Sequence, residues 1–94
     1  MRLEWSATAG ADLERFAAFL HDTHPSYAVQ IAEKLVEKSL VLLKHPLLGR
    51  PIERLPDYRE LVVQALRATY VLQYRVHGER IVILRVFHGR EDRG

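Results

Sequence analysis

A chain of 94 residues, 48% apolar and 28% charged, is long enough for one small core and is expected to form a single domain over 1–94, burying about two-thirds of its unfolded surface. It has no cysteine, which excludes disulfides and thiolate metal sites and fits a reducing cytoplasm. Its first ten residues lack a leader's apolar stretch, and no apolar run approaches the roughly 18 residues of a membrane span, so a cytoplasmic protein is expected. Residues 1–49 carry five basic against six acidic side chains, whereas residues 50–94 carry nine arginines and no lysine against six acids. The planar, always charged arginine fork suits carboxylates and phosphates, so the second half points to an anionic partner, either nucleic acid or an acidic peptide.

Arg2–Trp5 is short and mixed and reads as an edge strand, with Ser6 placed to cap a helix. Leu13, Phe16, Ala17 and Leu20 then recur at helical spacing up to about His21. His24-Pro25 breaks the period, and a second helix follows over about 26–44. Ala28, Ile31, Ala32, Leu35, Leu42 and Leu43 line one side of it, and Gln30, Glu33, Lys34, Glu37 and Lys38 the other. His45-Pro46 ends that helix, and Leu47–Asp57, with Gly49, Pro51 and Pro56, reads as a loop.

From Tyr58 the texture becomes β-branched and aromatic, giving strands at about Tyr58–Gln64, Ala68–Val76 and Arg80–His88, the last two around a turn at His77-Gly78-Glu79. The order is β-α-α-β-β-β, an α+β fold with two helices on one face of a small, mostly antiparallel sheet. Tyr70, Leu72, Tyr74 and Val76 form the more apolar set of their strand and should face the helices. The last strand is apolar on both sides apart from Arg85 and His88. Two helices can cover only one face, so its other side is expected to await a partner.

Four pieces of the sequence, in order, carry a resemblance. They are Trp5-Ser6 with Ala9 and Asp12-Leu13; His45-Pro46-Leu47-Leu48-Gly49-Arg50-Pro51; Arg59-Glu60-Leu61-Val62-Val63; and Ile83-Leu84-Arg85-Val86-Phe87-His88-Gly89-Arg90-Glu91-Asp92. Together they resemble the RelE/ParE superfamily of toxins from type II toxin–antitoxin systems, with the closing piece closest to the ParE-like branch. The resemblance implies a toxin of the plasmid-stabilisation type, neutralised by a cognate antitoxin and causing growth arrest when that antitoxin is lost. ParE-like members act on DNA gyrase, whereas RelE-like members cleave mRNA on the ribosome.

A ribonuclease needs a group to activate the 2′-hydroxyl, cations for the phosphorane and an acid for the leaving oxygen. His88, with Arg85 and Arg59, would be that set; Arg75, Tyr70 and Tyr74 are the other candidates. His88 could serve as acid or base, or be a strand-end histidine bonded to the chain turn at Gly89. Arg85, in an apolar strand, needs a carboxylate, either Asp92, Glu60 or an antitoxin acid. Tyr70 and Tyr74 share a face and read as core packing.

Nuclease relatives often carry Tyr-Arg-x-x-Tyr in this strand, where the arginine helps hold the scissile phosphate. Here the run is Tyr70-Val71-Leu72-Gln73-Tyr74, and a lysine-rich patch is missing as well, although Arg67 or Arg75 could substitute. The expectation is therefore a gyrase-binding toxin, with Arg59, Arg75, Arg85, His88 and Arg90 recognising target or antitoxin. A ribosome-dependent endoribonuclease is the alternative, and a non-toxic family member that still binds its antitoxin is a third. The five histidines lack metal-ligand spacing, and no phosphate loop, dinucleotide fingerprint or nucleophile elbow is present, so neither metal nor cofactor is expected.

Overall fold

Ser6 turns the chain from its first strand into its first helix. In the computed structural model, which describes residues 1–21 and 25–91, strand β1 (Arg2–Trp5) stops there and helix α1 (Ala7–His21) begins. The Ser6 hydroxyl accepts the Ala9 N–H at 3.0 Å, satisfying one of the amides that a helix N-terminus leaves unpaired. It also donates to the Leu84 carbonyl at 3.0 Å, so the cap ties the helix start to the last strand. Leu13 and Phe16 pack against the core as their spacing predicts. His24 and the side chains of Ala17, Leu20 and Ala28 lie outside the described residues.

Helix α2 (Pro25–Ser39) is shorter than the 26–44 expected, because Leu40–Leu43 winds as a 3-10 helix. Ser39 is fully buried, and its hydroxyl donates back to the Val36 carbonyl at 2.7 Å. Such local bonds compete with the helical ladder, and a tightened turn is a common helix ending. The tighter winding changes which leucine points inward. Ile31, Leu35 and Leu42 enter the core, whereas Leu43, expected beside them, is exposed.

The segment expected as a loop over 47–57 contains strand β2 (Arg50–Ile52), and β3 starts early, spanning Leu55–Ala65. Pro51 pairs opposite Arg59, which an edge strand tolerates because the missing N–H need not serve a ladder. Strands β4 (Ala68–His77) and β5 (Arg80–His88) follow as expected. They are joined through Gly78-Glu79, with Gly78 at φ +58° as a glycine-led two-residue turn requires. The sheet order is β1-β5-β4-β3-β2, with β1 parallel to β5 and the other pairs antiparallel.

Both helices lie on one face, α1 over β5 and α2 over β3. Tyr70, Leu72 and Tyr74 face them, together with Val63 and Ala65 of β3 and Ile81, Ile83 and Val86 of β5. The alternation along β5 slips because Gln73 pairs with Arg85 while Tyr74 pairs with Ile83, leaving Leu84 as a bulge. On the opposite face Val62, Val71 and Phe87 form a cross-strand row. Val71 is only 2% exposed, whereas Val62 at the end of the row is 57% exposed.

The two margins of the sheet are finished differently. β1 accompanies β5 only over Arg80–Ile83, and beyond that point α1 and the C-terminal turn take over. Asp12 accepts the Val86 N–H at 2.8 Å and Glu91 accepts the His88 N–H at 3.0 Å. At the far margin β2 reaches only to Glu60. Among the described residues no strand lies outside the run from Leu61 to Ala65.

Gly49 shows why β2 sits where it does. A Cβ there would lie 2.6 Å from Tyr74 Cε1 and 2.7 Å from the Glu60 carbonyl. The Tyr74 hydroxyl accepts the Gly49 N–H and donates to the Pro46 carbonyl, each at 2.8 Å. Gly49→Ala is expected to destabilise the fold by about 1–3 kcal/mol through overpacking. Tyr74→Phe, which leaves both backbone groups unpaired, is expected to cost about 1–3 kcal/mol; urea denaturation reads both.

Candidate partner- and target-binding site

The candidate residues of the sequence fall in separate places. Arg59, at the start of β3, holds the loop before β2, its guanidinium donating to the Gly49 carbonyl at 2.8 Å and to that of Leu47 at 3.3 Å. Arg75 lies opposite Tyr58, with its guanidinium carbon 5.6 Å from that ring's centroid and a nitrogen 4.0 Å from Asp57. Its Nε is buried and has no hydrogen-bond partner among the described residues. His88 lies opposite Tyr70 at the other end of β4.

Arg85 meets a carboxylate that the sequence reading did not name. Its Nε donates to Asp12 Oδ2 at 2.9 Å and a terminal nitrogen to Oδ1 at 3.2 Å. Glu60, one of the expected partners, instead accepts from Gln73 at 3.0 Å and faces Arg50 at 3.6 Å; Asp92 lies outside the described residues. A signal for Asp12 was present in the sequence, since it stands between Ala9, Leu13 and Phe16 on the apolar stripe of α1. A carboxylate placed there needs a partner from the sheet.

Asp12 is 6% exposed. Burial alone would raise its pKa. The hydrogen bonds from Arg85 and the Val86 N–H, with the charges of Arg85 and Arg15, outweigh burial and hold the carboxyl below its usual value. Arg85 leaves the opposite face at its bulge and passes over Phe87, 4.7 Å from the ring centroid. Arg15 reaches Asp12 at 3.7 Å and Glu91 at 3.2 Å, continuing a chain of alternating charge along the margin of β5.

His88 closes the same end. Its ring packs edge to face on Tyr70 at 5.4 Å, and Tyr70 does likewise on Phe16 at 5.6 Å. Its Nδ1 accepts the Arg90 N–H at 3.2 Å, so the imidazole does bond the chain turn beyond the strand. Burial pushes the Tyr70 phenol up, and likewise that of Tyr74 against smaller opposing effects of the Gly49 N–H and Arg59; both tyrosines pack in the core.

His88, Arg85 and Arg59 are not brought together. Tyr70 and Tyr74, opposite His88 and Arg59, are four residues apart on β4, roughly 13 Å along a strand. Arg85 and His88 lie on opposite faces of the sheet. Among the described residues no group of three or more His, Asp or Glu could hold a metal ion, and no helix is long and apolar enough to cross a membrane.

Comparison with known proteins places this geometry. Residues 3–93 match the family model described as the ParE toxin of the type II toxin–antitoxin system parDE. Two curated Caulobacter vibrioides proteins are similar over nearly their whole length. One, named Toxin RelE3, is 33% identical over 91 residues, 97% of each chain; the other, named Toxin RelE1, is 28% identical over 88 residues, 94% of this chain and 92% of that one. A solved structure of the chromosomal ParDE system of P. aeruginosa has a chain 31% identical, with a TM-score of 0.75 over 94% of this chain and 95% of that one. A conserved hypothetical protein of Helicobacter pylori, 13% identical with a TM-score of 0.56, covers 97% of both chains and shares the fold.

Asp12→Asn tests the carboxylate. A depressed folded pKa contributes stability that is complete above the unfolded value and lost as pH falls through the folded one. The native protein should therefore lose stability on acidification below about pH 4, and the variant should lack that component. Near neutral pH Asp12→Asn should cost about 1–3 kcal/mol. A larger loss is not expected, because the Arg85 side chain is 39% exposed and its charge is partly screened. Thermal melts between pH 3 and 7 read both effects.

Proposed function

The chain belongs to the ParE toxin family of type II toxin–antitoxin systems and so has a cognate antitoxin as its partner, and from that premise we propose that it arrests growth by binding and inhibiting DNA gyrase. The observation that carries this reading is Val71. It stands where nuclease relatives often place a phosphate-holding arginine, and its side chain is packed between Val62 and Phe87. Removing one preorganised donor of that kind typically costs about 3 kcal/mol, a hundredfold or more in rate. The other candidate cations are also engaged, Arg59 by backbone carbonyls and Arg85 by Asp12. On this reading the exposed parts of Arg75, Arg85, His88 and Arg90 serve recognition, and Arg59 supports the loop beside them.

An acidic, amphipathic antitoxin segment is proposed to cover the row Val62, Val71 and Phe87 and the arginines around it. Exposed charges steer such an encounter and are screened by salt, so association should slow as ionic strength rises. The protein is proposed to act in the cytoplasm, in a system of the plasmid-stabilisation type.

The printed names of the two Caulobacter relatives favour a second reading, a ribosome-dependent endoribonuclease. His88→Ala separates the two. Under gyrase inhibition it should leave growth arrest largely intact at matched expression, with at most about 0.5–3 kcal/mol lost in stability or binding. Under the nuclease reading it removes an acid or base worth about 10²–10⁴-fold. Supercoiling assays and mapping of mRNA ends read the outcome. Codon-phased cleavage that disappears in His88→Ala, with supercoiling unimpaired, would overturn the gyrase reading.

A further inference from the structure

The end of the sheet beside His88 holds a cationic cleft, to which Arg67 and Thr69 add groups that the recognition surface proposed above does not use. Ala65 pairs with Ala68, so β3 and β4 are joined by Leu66 and Arg67 alone. Both residues are left-handed, at φ +48° and +70°, where a Cβ crowds the backbone and Asn-Gly is the favoured pair. The turn thus keeps an arginine where glycine would sit more easily, and strain of this kind gathers at functional sites.

Arg67 lines an open cleft of about 610 Å³ with Ala68, Thr69, His88, Gly89 and Arg90, and no carboxylate lines it. Among the described residues, the side chains of Arg67 and Arg90 make no ion pair. The Thr69 hydroxyl accepts from Gln64 at 2.9 Å, which leaves its own proton to donate. Because His88 Nδ1 already accepts the Arg90 N–H, the neutral ring carries its proton on Nε2. Gly89 keeps the wall low. Its N–H donates to the Thr69 carbonyl at 2.7 Å, and a Cβ there would lie 3.0 Å from the same oxygen.

A second cleft, of about 510 Å³ and mainly apolar, shares His88 and Arg90 and continues along Arg15, Phe16 and Glu91. The Arg15 guanidinium carbon stands 4.9 Å from the Phe16 ring centroid, and Arg15 pairs with Glu91 at 3.2 Å. We propose that the two clefts together bind a nucleotide, its phosphate among Arg67, His88 and Arg90 and its base in the apolar cleft beside Phe16 and Arg15. Donors from several directions suit a phosphate's oxygens better than a planar carboxylate, and aromatic and guanidinium groups suit the flat face of a base. The nucleotide is either free or one unit of a single strand. The site shares His88 and Arg90 with the recognition surface proposed above, and Arg67 belongs to it alone.

Calorimetric titration of the full chain at low ionic strength tests this with four probes: AMP, adenosine, inorganic phosphate and a short single-stranded oligothymidylate. AMP or the oligonucleotide should bind at least tenfold more tightly than phosphate or adenosine. Tighter binding of the oligonucleotide marks a strand as the source; binding of AMP at least as tight marks the free nucleotide. Arg67→Gly relieves the left-handed strain, so its melting temperature should hold or rise while affinity falls at least tenfold. Arg67→Lys should recover part of the affinity, and Lys44→Ala, which removes a charge elsewhere, should leave it unchanged. The proposal is overturned by no saturable binding of either nucleotide probe, by affinity indifferent to Arg67→Gly, or by an equal loss in Lys44→Ala. Supercoiling measured on the same variants keeps a failure of the gyrase reading distinct from a failure of this one.

Discussion

Strand β5 has a strand on its outer side only as far as Ile83, and beyond that point its alignment depends on the carboxylate of Asp12. One oxygen of Asp12 accepts from both Arg85 and the Val86 amide, joining the first helix to the last strand across more than seventy residues of chain. A buried carboxylate is costly unless its lone pairs are answered; here a guanidinium and a backbone amide answer them, with Arg15 nearby. The contact also sets the height of α1 over the sheet, and with it the packing of Phe16 on Tyr70 and of Tyr70 on His88. The C-terminal end of the molecule therefore takes its shape from a residue near the start of the chain.

The Pro46–Pro51 connection does comparable work at the opposite end. Gly49 lies so close to Tyr74 that no side chain fits, and Arg59 binds the carbonyls on either side of Leu48. The glycine, the tyrosine and the arginine are one packed unit, drawn from three of the strands and loops that the sequence places far apart. A family motif in this loop thus has a local physical cause. It fixes how β2 meets β3, and through that pairing where the sheet ends.

The helices and long strands could be read from the sequence because their side chains repeat at fixed periods. Leu13 with Phe16, Ile31 with Leu35, and Tyr70 with Leu72 and Tyr74 each declare one buried face. What could not be read depends on contacts between distant segments. The strand Arg50–Ile52 carries a proline and looks like a loop until β3 lies beside it. The bulge at Leu84 moves Val86 onto the helix face, an effect that alternation within β5 does not encode. Arg85 signalled that it needed an acid, but several acids were available in the sequence, and only the packing of α1 against β5 selects Asp12. The left-handed pair Leu66-Arg67 was hidden for a different reason, since neither residue type advertises a tight turn. The absence of arginine at position 71 needed no structure to be seen; the structure adds that the valine there is buried.

The two margins of the sheet expose different groups. Along β5 beyond Ile83 the Val86 and His88 amides are taken by carboxylates, and the Leu84 carbonyl by the hydroxyl of the helix cap. Along β3 the run Leu61-Val62-Val63-Gln64-Ala65 has neither proline, lysine nor bulge, devices with which exposed margins are commonly blunted. The run is therefore an uncovered margin of the sheet, the kind of edge at which a further strand can pair. An uncovered edge of that kind puts the solubility of the toxin, rather than its fold, at risk as its concentration rises.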